Sequence, residues 1–233
     1  GGNEIWNFNA FEDGFAVKDV ALLKDLAVYG AGSDGTVRRI IENDGSEDWI
    51  YDWIGDSFDP EVNAIVVDKE ERIFAAADNG ELLRLTSDGN EVYKKAPFEE
   101  EFTNQDTGQL IETPLEDVAV DENSIYVTSG GYVKKLSKDG IEEWVVGPID
   151  ISGDEAQLGP VEVYPKSDSV YAFGFVSQGF DQRGAIFEIS GDGAGGANVS
   201  EFLKNDSEGG NLFTERVFDL SIQPGSYEPH WNS

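Results

Sequence analysis

Gly89-Asn90-Glu91-Val92-Tyr93 is the stretch that decides the fold, because its mark returns along the chain: a turn glycine, then Glu, then a large aromatic two residues further on. The mark stands at Gly2-Asn3-Glu4-Ile5-Trp6, Gly45-Ser46-Glu47-Asp48-Trp49 and Gly140-Ile141-Glu142-Glu143-Trp144, with a weaker copy at Val199-Ser200-Glu201-Phe202. The aromatics at 6, 49, 93, 144 and 202 are 43, 44, 51 and 58 residues apart. That spacing begins within the range of about 40 to 50 residues typical of repeats built from four short strands, and it lengthens where loops are inserted.

Working outward from Tyr93, the alternation of β-branched or aromatic residues predicts strands over 63–68, 72–77, 81–86 and 90–94, with turns at 69–71, Asp78-Asn79-Gly80 and Ser87-Asp88-Gly89. The following repeat matches it over 116–121, 124–128, 132–137 and 142–146, with Lys138-Asp139-Gly140 as its last turn. The first repeat predicts strands over 16–23, 26–31, 36–41 and 48–53, and the fourth over 160–164, 169–175, 184–189 and 199–203. Four antiparallel strands per repeat, with Asp-Gly turns between the third and fourth, resemble the blades of quinoprotein-like (PQQ-like) propellers over nearly the whole chain. The expected fold is therefore all-β, a β-propeller of four-stranded antiparallel blades at about 14–54, 61–95, 115–147 and 160–203.

The ends are complementary. Gly1 to Trp6 aligns with Asp88 to Tyr93, the turn into an outermost strand, and Arg216 to Ile222 aligns with an innermost one. A short fifth blade, 216–233 completed by 3–9, would close the ring; a six- to eight-bladed ring completed elsewhere is the alternative. A β-sandwich also has regularly spaced short strands, but it gives no reason for the same mark to return five times.

Composition narrows the function classes. Asp and Glu number 47 against 16 Lys and Arg, a net charge of −31. Such an excess repels itself at ordinary ionic strength, whereas at molar salt the Debye length falls to about 3 Å and hydrated carboxylates keep the protein dissolved. The composition is of the halophilic, haloarchaeal or haloarchaeal-virus type. The charge argues against nucleic acid, which recruits Lys and Arg to its phosphates, and no apolar run approaches the ~20 residues of a membrane span. There is no Cys, and His230 is the only histidine, so disulfides, thiolate chemistry, His-based triads and multi-His metal centres are not expected.

In an up-and-down blade the second-to-third turns and the blade-to-blade connections share one face, and the long irregular segments 98–114, 147–160 and 175–184 are expected there. Long loops on a rigid scaffold are preferred places for binding. They supply Phe98, Phe102, Asn104, Gln105, Gln157, Gln178, Phe180, Gln182 and Arg183, a set suited to stacking on and hydrogen-bonding a glycan or a surface protein. The bland reading is that the aromatics plug grooves between blades and the amides are solvated. Non-enzymatic recognition on a virus particle or cell surface is the leading expectation, with neighbouring structural subunits as further partners. A carboxylate-based hydrolase or lyase in the central channel is the alternative, although at this acidity adjacent carboxylates carry little signal. No cofactor is expected, since no residue set would hold a quinone. Asn43 to Asp48 and Ser190 to Gly193 place oxygens on turns as Ca²⁺ loops do, without the EF-hand spacing, which leaves a bound cation open. Asn198 and Asn205 begin glycosylation sequons, which matter only on export.

Overall fold

The computed structural model describes residues 16–23, 27–41, 43–53, 59–100, 102, 113–151, 154–164, 169–178, 181–190 and 197–200. Their regular structure is all strand, and none of it forms a helix long and apolar enough to cross a membrane. The first sheet holds β1 (Val17–Leu23), β2 (Ala27–Gly32), β3 (Thr36–Ile41) and β4 (Glu47–Asp52). The second holds β5 (Val62–Val67), β6 (Ile73–Ala77), β7 (Leu82–Leu85) and β8 (Glu91–Lys95), and the third β9 (Asp117–Val120), β10 (Ser124–Ser129), β11 (Tyr132–Ser137) and β12 (Glu142–Val146). The fourth has five strands: β13 (Asp150–Ile151), β14 (Asp154–Tyr164), β15 (Ser169–Gln178), β16 (Asp181–Ser190) and β17 (Ala197–Ser200). In every sheet, neighbours in sequence are neighbours in space, and the pairing is antiparallel throughout.

The side-chain period of two explains how the sheets stack. Along β6, Ile73, Ala75 and Ala77 enter the core shared with the first sheet, while Phe74 and Ala76 enter the core shared with the third. A strand covered on both faces is apolar without a break, as β6 is, whereas a strand at the rim alternates or is polar, as in Glu91–Lys95. The hydrophobic core is thus one layer per junction. Tyr29, Val37 and Trp53 meet Ile65, Ile73 and Leu85 between sheets 1 and 2; Phe74, Leu82 and Phe98 meet Val118, Ile125 and Leu136 between sheets 2 and 3. Tyr126, Val133 and Val146 meet Val170, Ala172, Phe187 and Ile189 between sheets 3 and 4. At about 1.5–3 kcal/mol per large apolar side chain removed from water, these layers dominate cohesion. Strands β1, β5, β9 and β14 lie against one another in succession, while the fourth strands β4, β8 and β12 are the exposed ones, so the sheets radiate from a common axis.

The structure corrects one part of the sequence reading. Segments 147–160 and 175–184, expected as loops, belong largely to strands β13 to β16. Gly159, read as loop, and Pro160, read as the start of a strand, fall inside β14 at a register irregularity between Leu158 and Val161. Proline lacks the N–H of a regular ladder but is accommodated at a bulge, so the strand continues through it. Pairing of β15 with β16 runs without a break from Ser169↔Ser190 to Gln178↔Asp181, joined by residues 179 and 180 alone. The predicted fifth blade, 216–233 with 3–9, lies outside the described residues.

Candidate recognition face

Up-and-down order places the β2–β3, β6–β7, β10–β11 and β15–β16 turns on one face with the sheet-to-sheet connections. The connections are pinned to the turns: Leu115 N–H donates to Ala77 O at 3.0 Å, and Ile149 N–H to Gly131 O at 2.9 Å. Phe98, one of the candidate ligand-binding residues, is only 3 % exposed and packs into the core between sheets 2 and 3. Half-buried Phe102 stands edge-on to Tyr132 with ring centroids 5.3 Å apart, and Phe98 lies 5.8 Å from Phe102. Beneath them Lys134 is 1 % exposed. Its ammonium donates to Pro97 O at 2.6 Å and to Glu142 Oε2 at 2.7 Å, and lies 5.1 Å from the Phe98 ring. These two phenylalanines therefore anchor the start of the 96–102 segment, which agrees with the groove-plugging reading. Asn104, Gln105 and Phe180 lie outside the described residues.

The other four candidates sit on the sheet-4 strands, and their register separates them. Residues directly opposite one another share a face. Val176↔Arg183 and Gln178↔Asp181 continue the face that lower down carries Val170↔Ile189 and Ala172↔Phe187, packed toward sheet 3. Gln157↔Phe175↔Gly184 and Ser177↔Gln182 belong to the opposite face. Gln178 and Arg183 thus form one set, and Gln157 and Gln182 another. Three of them, Gln178, Gln182 and Arg183, lie in the upper half of the long hairpin, 174–178 paired with 181–185. Its signal was present in the sequence as a Gly at position 179 between two alternating runs, the pattern of a two-residue hairpin turn.

The opposite face is a lattice of charge contacts between sheets. Tyr29 Oη donates to Glu71 Oε1 at 2.6 Å, and Arg39 reaches the same carboxylate oxygen at 2.9 Å. Burial first and the Glu71 hydrogen bond second push the Tyr29 hydroxyl up to about 12. Asp68 is buried; its Oδ1 accepts from Glu70 N and Arg72 N, and its Oδ2 from Arg72 Nε at 2.6 Å. Burial alone would raise that carboxyl, but the Arg72 N–H and guanidinium and the Lys138 ammonium outweigh it and hold it below its ordinary value. Lys138 Nζ lies 3.4 Å from Asp68 Oδ2 without hydrogen-bond geometry, and burial carries its pKa down against that attraction. Sequence reasoning missed Lys134 and Lys138, because a period of two assigns a face but not the burial of a charge.

Among the described residues no group of three or more acidic or histidine side chains could hold a metal ion. In the Asn43 to Asp48 turn, Asp44 Oδ1 accepts from Ser46 Oγ at 2.6 Å and Ser46 N at 2.9 Å, closing the turn on itself. On the innermost strand, Asp19 accepts from Val20 N at 2.7 Å and, across the junction, from Ile65 N at 2.8 Å, so it blunts the edge of β5.

Radiating four-stranded antiparallel sheets are the architecture of β-propeller proteins, and solved structures similar to this chain are of that class. They include a quinohemoprotein alcohol dehydrogenase from Comamonas testosteroni (TM-score 0.57, 14 % identity, 78 % of this chain and 34 % of that one). BamB from Moraxella catarrhalis has TM-score 0.54 and 16 % identity over 84 % of this chain and 55 % of its own. The WD40 repeats of RRP9 have TM-score 0.59 and 10 % identity over 81 % and 52 %. The chain thus spans between about a third and just over half of these proteins' lengths. At such identities the likeness is one of fold, and it extends to WD40 as well as quinoprotein propellers. No protein-family model and no curated protein matches the sequence.

Proposed function

We propose that the protein is a recognition propeller, displayed on a virus particle or cell surface in concentrated salt, that binds a glycan or a surface protein through the face bearing the sheet-4 hairpin. One observation carries the reading. Strands β14 to β16 run for 10 or 11 residues, where every strand of the first three sheets has between 4 and 7. At about 3.3 Å per residue such a strand is ~33 Å long, against roughly 13–23 Å for the strands of the first three sheets. An element that outreaches its neighbours on a rigid scaffold is suited to binding. The amides of Gln157, Gln178 and Gln182 and the Arg183 guanidinium suit a polyhydroxy ligand or a polar protein surface, Phe180 offers a ring for stacking, and Asn104 and Gln105 belong to the neighbouring connection. Phe98 and Phe102 support that connection from below. In this reading the ring has five blades, the fifth built from 216–233 and 3–9.

The test is adhesion in molar salt to a glycan array and to envelopes of halophilic cells. Replacing Phe180 and Arg183 together by Ala should weaken binding at least about tenfold with the unfolding midpoint unchanged. Undiminished adhesion would remove this face from the proposal.

A further inference from the structure

One row of side chains recurs in the first three sheets, and its middle copy is out of balance. Register sets Tyr29, Arg39 and Trp49 side by side in sheet 1, Phe74, Arg84 and Tyr93 in sheet 2, and Tyr126, Lys135 and Trp144 in sheet 3. Each row reads aromatic, cation, aromatic. In sheet 1 the cation is matched by oxygens. Arg39 Nε donates to the Tyr29 hydroxyl at 3.1 Å, and hydroxyl and guanidinium both donate to Glu71 Oε1, which sheet 2 sends across the junction.

At the next junction both acceptors are missing. Position 74 is Phe, with no hydroxyl for Arg84 Nε. The turn of sheet 3 that corresponds to Asp68–Arg72 is one residue shorter, closing Asp121 N–H on Ser124 O. Its Glu122 turns to Lys69 at 2.8 Å, and its Asp121 accepts from Tyr126 Oη at 2.8 Å. What sheet 3 sends instead is a second cation: Lys138 stands where the preceding sheet has Ser87, and its ammonium lies 5.1 Å from the Phe74 ring.

Two donors are left over beside Phe74. Among the described residues, Arg84 Nε and Lys138 Nζ are the buried side-chain polar atoms without a hydrogen-bond partner. The Lys138 side chain is 9 % exposed, and its approach to Asp68 is an ion pair without a hydrogen bond. Arg84 uses Nη1 on Lys138 O at 2.9 Å and on Asp139 Oδ1 at 2.8 Å, so the two residues touch. Leaving a buried charged donor unbonded is costly, and two of them at one junction call for an acceptor that neither sheet supplies.

We propose that the junction between sheets 2 and 3 binds a small monovalent anion, chloride in concentrated salt, held by Arg84 Nε and Lys138 Nζ beside Phe74. The ion takes the part that the Tyr29 oxygen and the Glu71 carboxylate play one junction earlier. Arg and Lys offer N–H groups alone, which suits an acceptor-only ligand better than water. Asp68 and Asp121 also act on Lys138, but their oxygens already accept from backbone N–H groups, from Arg72 and from Tyr126. The site lies on the face opposite the sheet-to-sheet connections and stands apart from the recognition reading.

The experiment uses the full chain in about 1 M potassium chloride and in about 1 M potassium gluconate, which screen alike, while only chloride is small enough to be enclosed. Urea unfolding in the two salts is compared for wild type, for Phe74→Tyr, which restores the hydroxyl of the sheet-1 row, and for Lys138→Met, which removes a donor. The preference for chloride, as a ratio of folding equilibrium constants, should be about tenfold greater in wild type than in either variant. The same ratio in all three proteins overturns the anion site. Chlorine NMR reads the ion itself, in gluconate to which a little chloride is added. A net charge of −31 repels anions from the surface at large, so native wild type should broaden the chloride line and Lys138→Met should not. Phe74→Tyr serves the same comparison if Lys138→Met does not fold. Equal broadening by wild type and variant, or none by wild type, overturns the site.

Discussion

Trp49 and Gly89 are two halves of one joint: the ring from sheet 1 rests on bare backbone in sheet 2, and its N–H donates to Ser87 O at 2.9 Å. A methyl group at Gly89 would meet the indole at 2.7 Å and would also have to adopt φ of 76°. Gly89→Ala should therefore destabilise the protein by about 1–3 kcal/mol, and Trp49→Phe, which keeps a ring but loses the donor, by about 1 kcal/mol. Guanidinium unfolding in molar salt measures both, and an unchanged midpoint for Gly89→Ala would contradict the joint.

Lys134 is the buried counterpart on the other face. Its replacement by Met fills the space but takes the ammonium from Pro97 O and from half-exposed Glu142, to which it donates at 2.6 and 2.7 Å. A loss of about 2–4 kcal/mol is expected, together with faster amide exchange over 96–102, measured by mass spectrometry.

Asp68 sets an acid limit. Its folded pKa is depressed below the ordinary 3.8, so its stabilising contribution is complete above the unfolded value and is lost as the pH falls through the folded one. Wild type should exceed Asp68→Asn in stability by about 2 kcal/mol near neutrality, and the two should converge below about pH 4. Parallel curves down to about pH 2 would show that the carboxylate's charge is not what Arg72 and Lys138 recognise.

Charge predicts a salt requirement. With a net charge of −31, repulsion in the compact state is relieved only as the screening length falls from about 10 Å at 0.1 M to about 3 Å at 1 M. The thermal midpoint should rise steeply over that range in KCl. A midpoint insensitive to salt would sever composition from environment.

The sheet-4 hairpin should be separable from the core. Replacing 176–183 by a two-residue turn removes pairs above Phe175↔Gly184 and leaves Val170, Ala172, Phe187 and Ile189 in place. The unfolding midpoint should shift little while adhesion is lost; collapse of the midpoint would make the hairpin a part of the core.

Much of this was legible because burial and alternation coincide. β11 and β12, Tyr132–Ser137 and Glu142–Val146, begin and end where the alternation of the sequence predicts. The mark at Gly89 was visible, yet its two halves serve different junctions, which no single repeat can reveal. The strands of sheet 4 were misread because Gly159, Pro160 and Gly184 are turn residues by composition, while the ladder that orders them depends on pairing rather than on local preference. Burial of Phe98 was likewise set by its partner Lys134, 36 positions away in the chain.

The rim joints have a polarity. Sheet 2 seats the Trp49 ring of sheet 1 on Gly89 and rests its own Tyr93 ring on Gly140 of sheet 3, so these sheets couple head to tail. A unit carrying one ring and one seat can be inserted or deleted whole without leaving either unmatched. A chain reopened between Lys95 and Leu115 would regain its broken joint when Tyr93 met Gly140 again. The grammar of the array is thus independent of its length, and a change in the number of such units would be a change in extent alone.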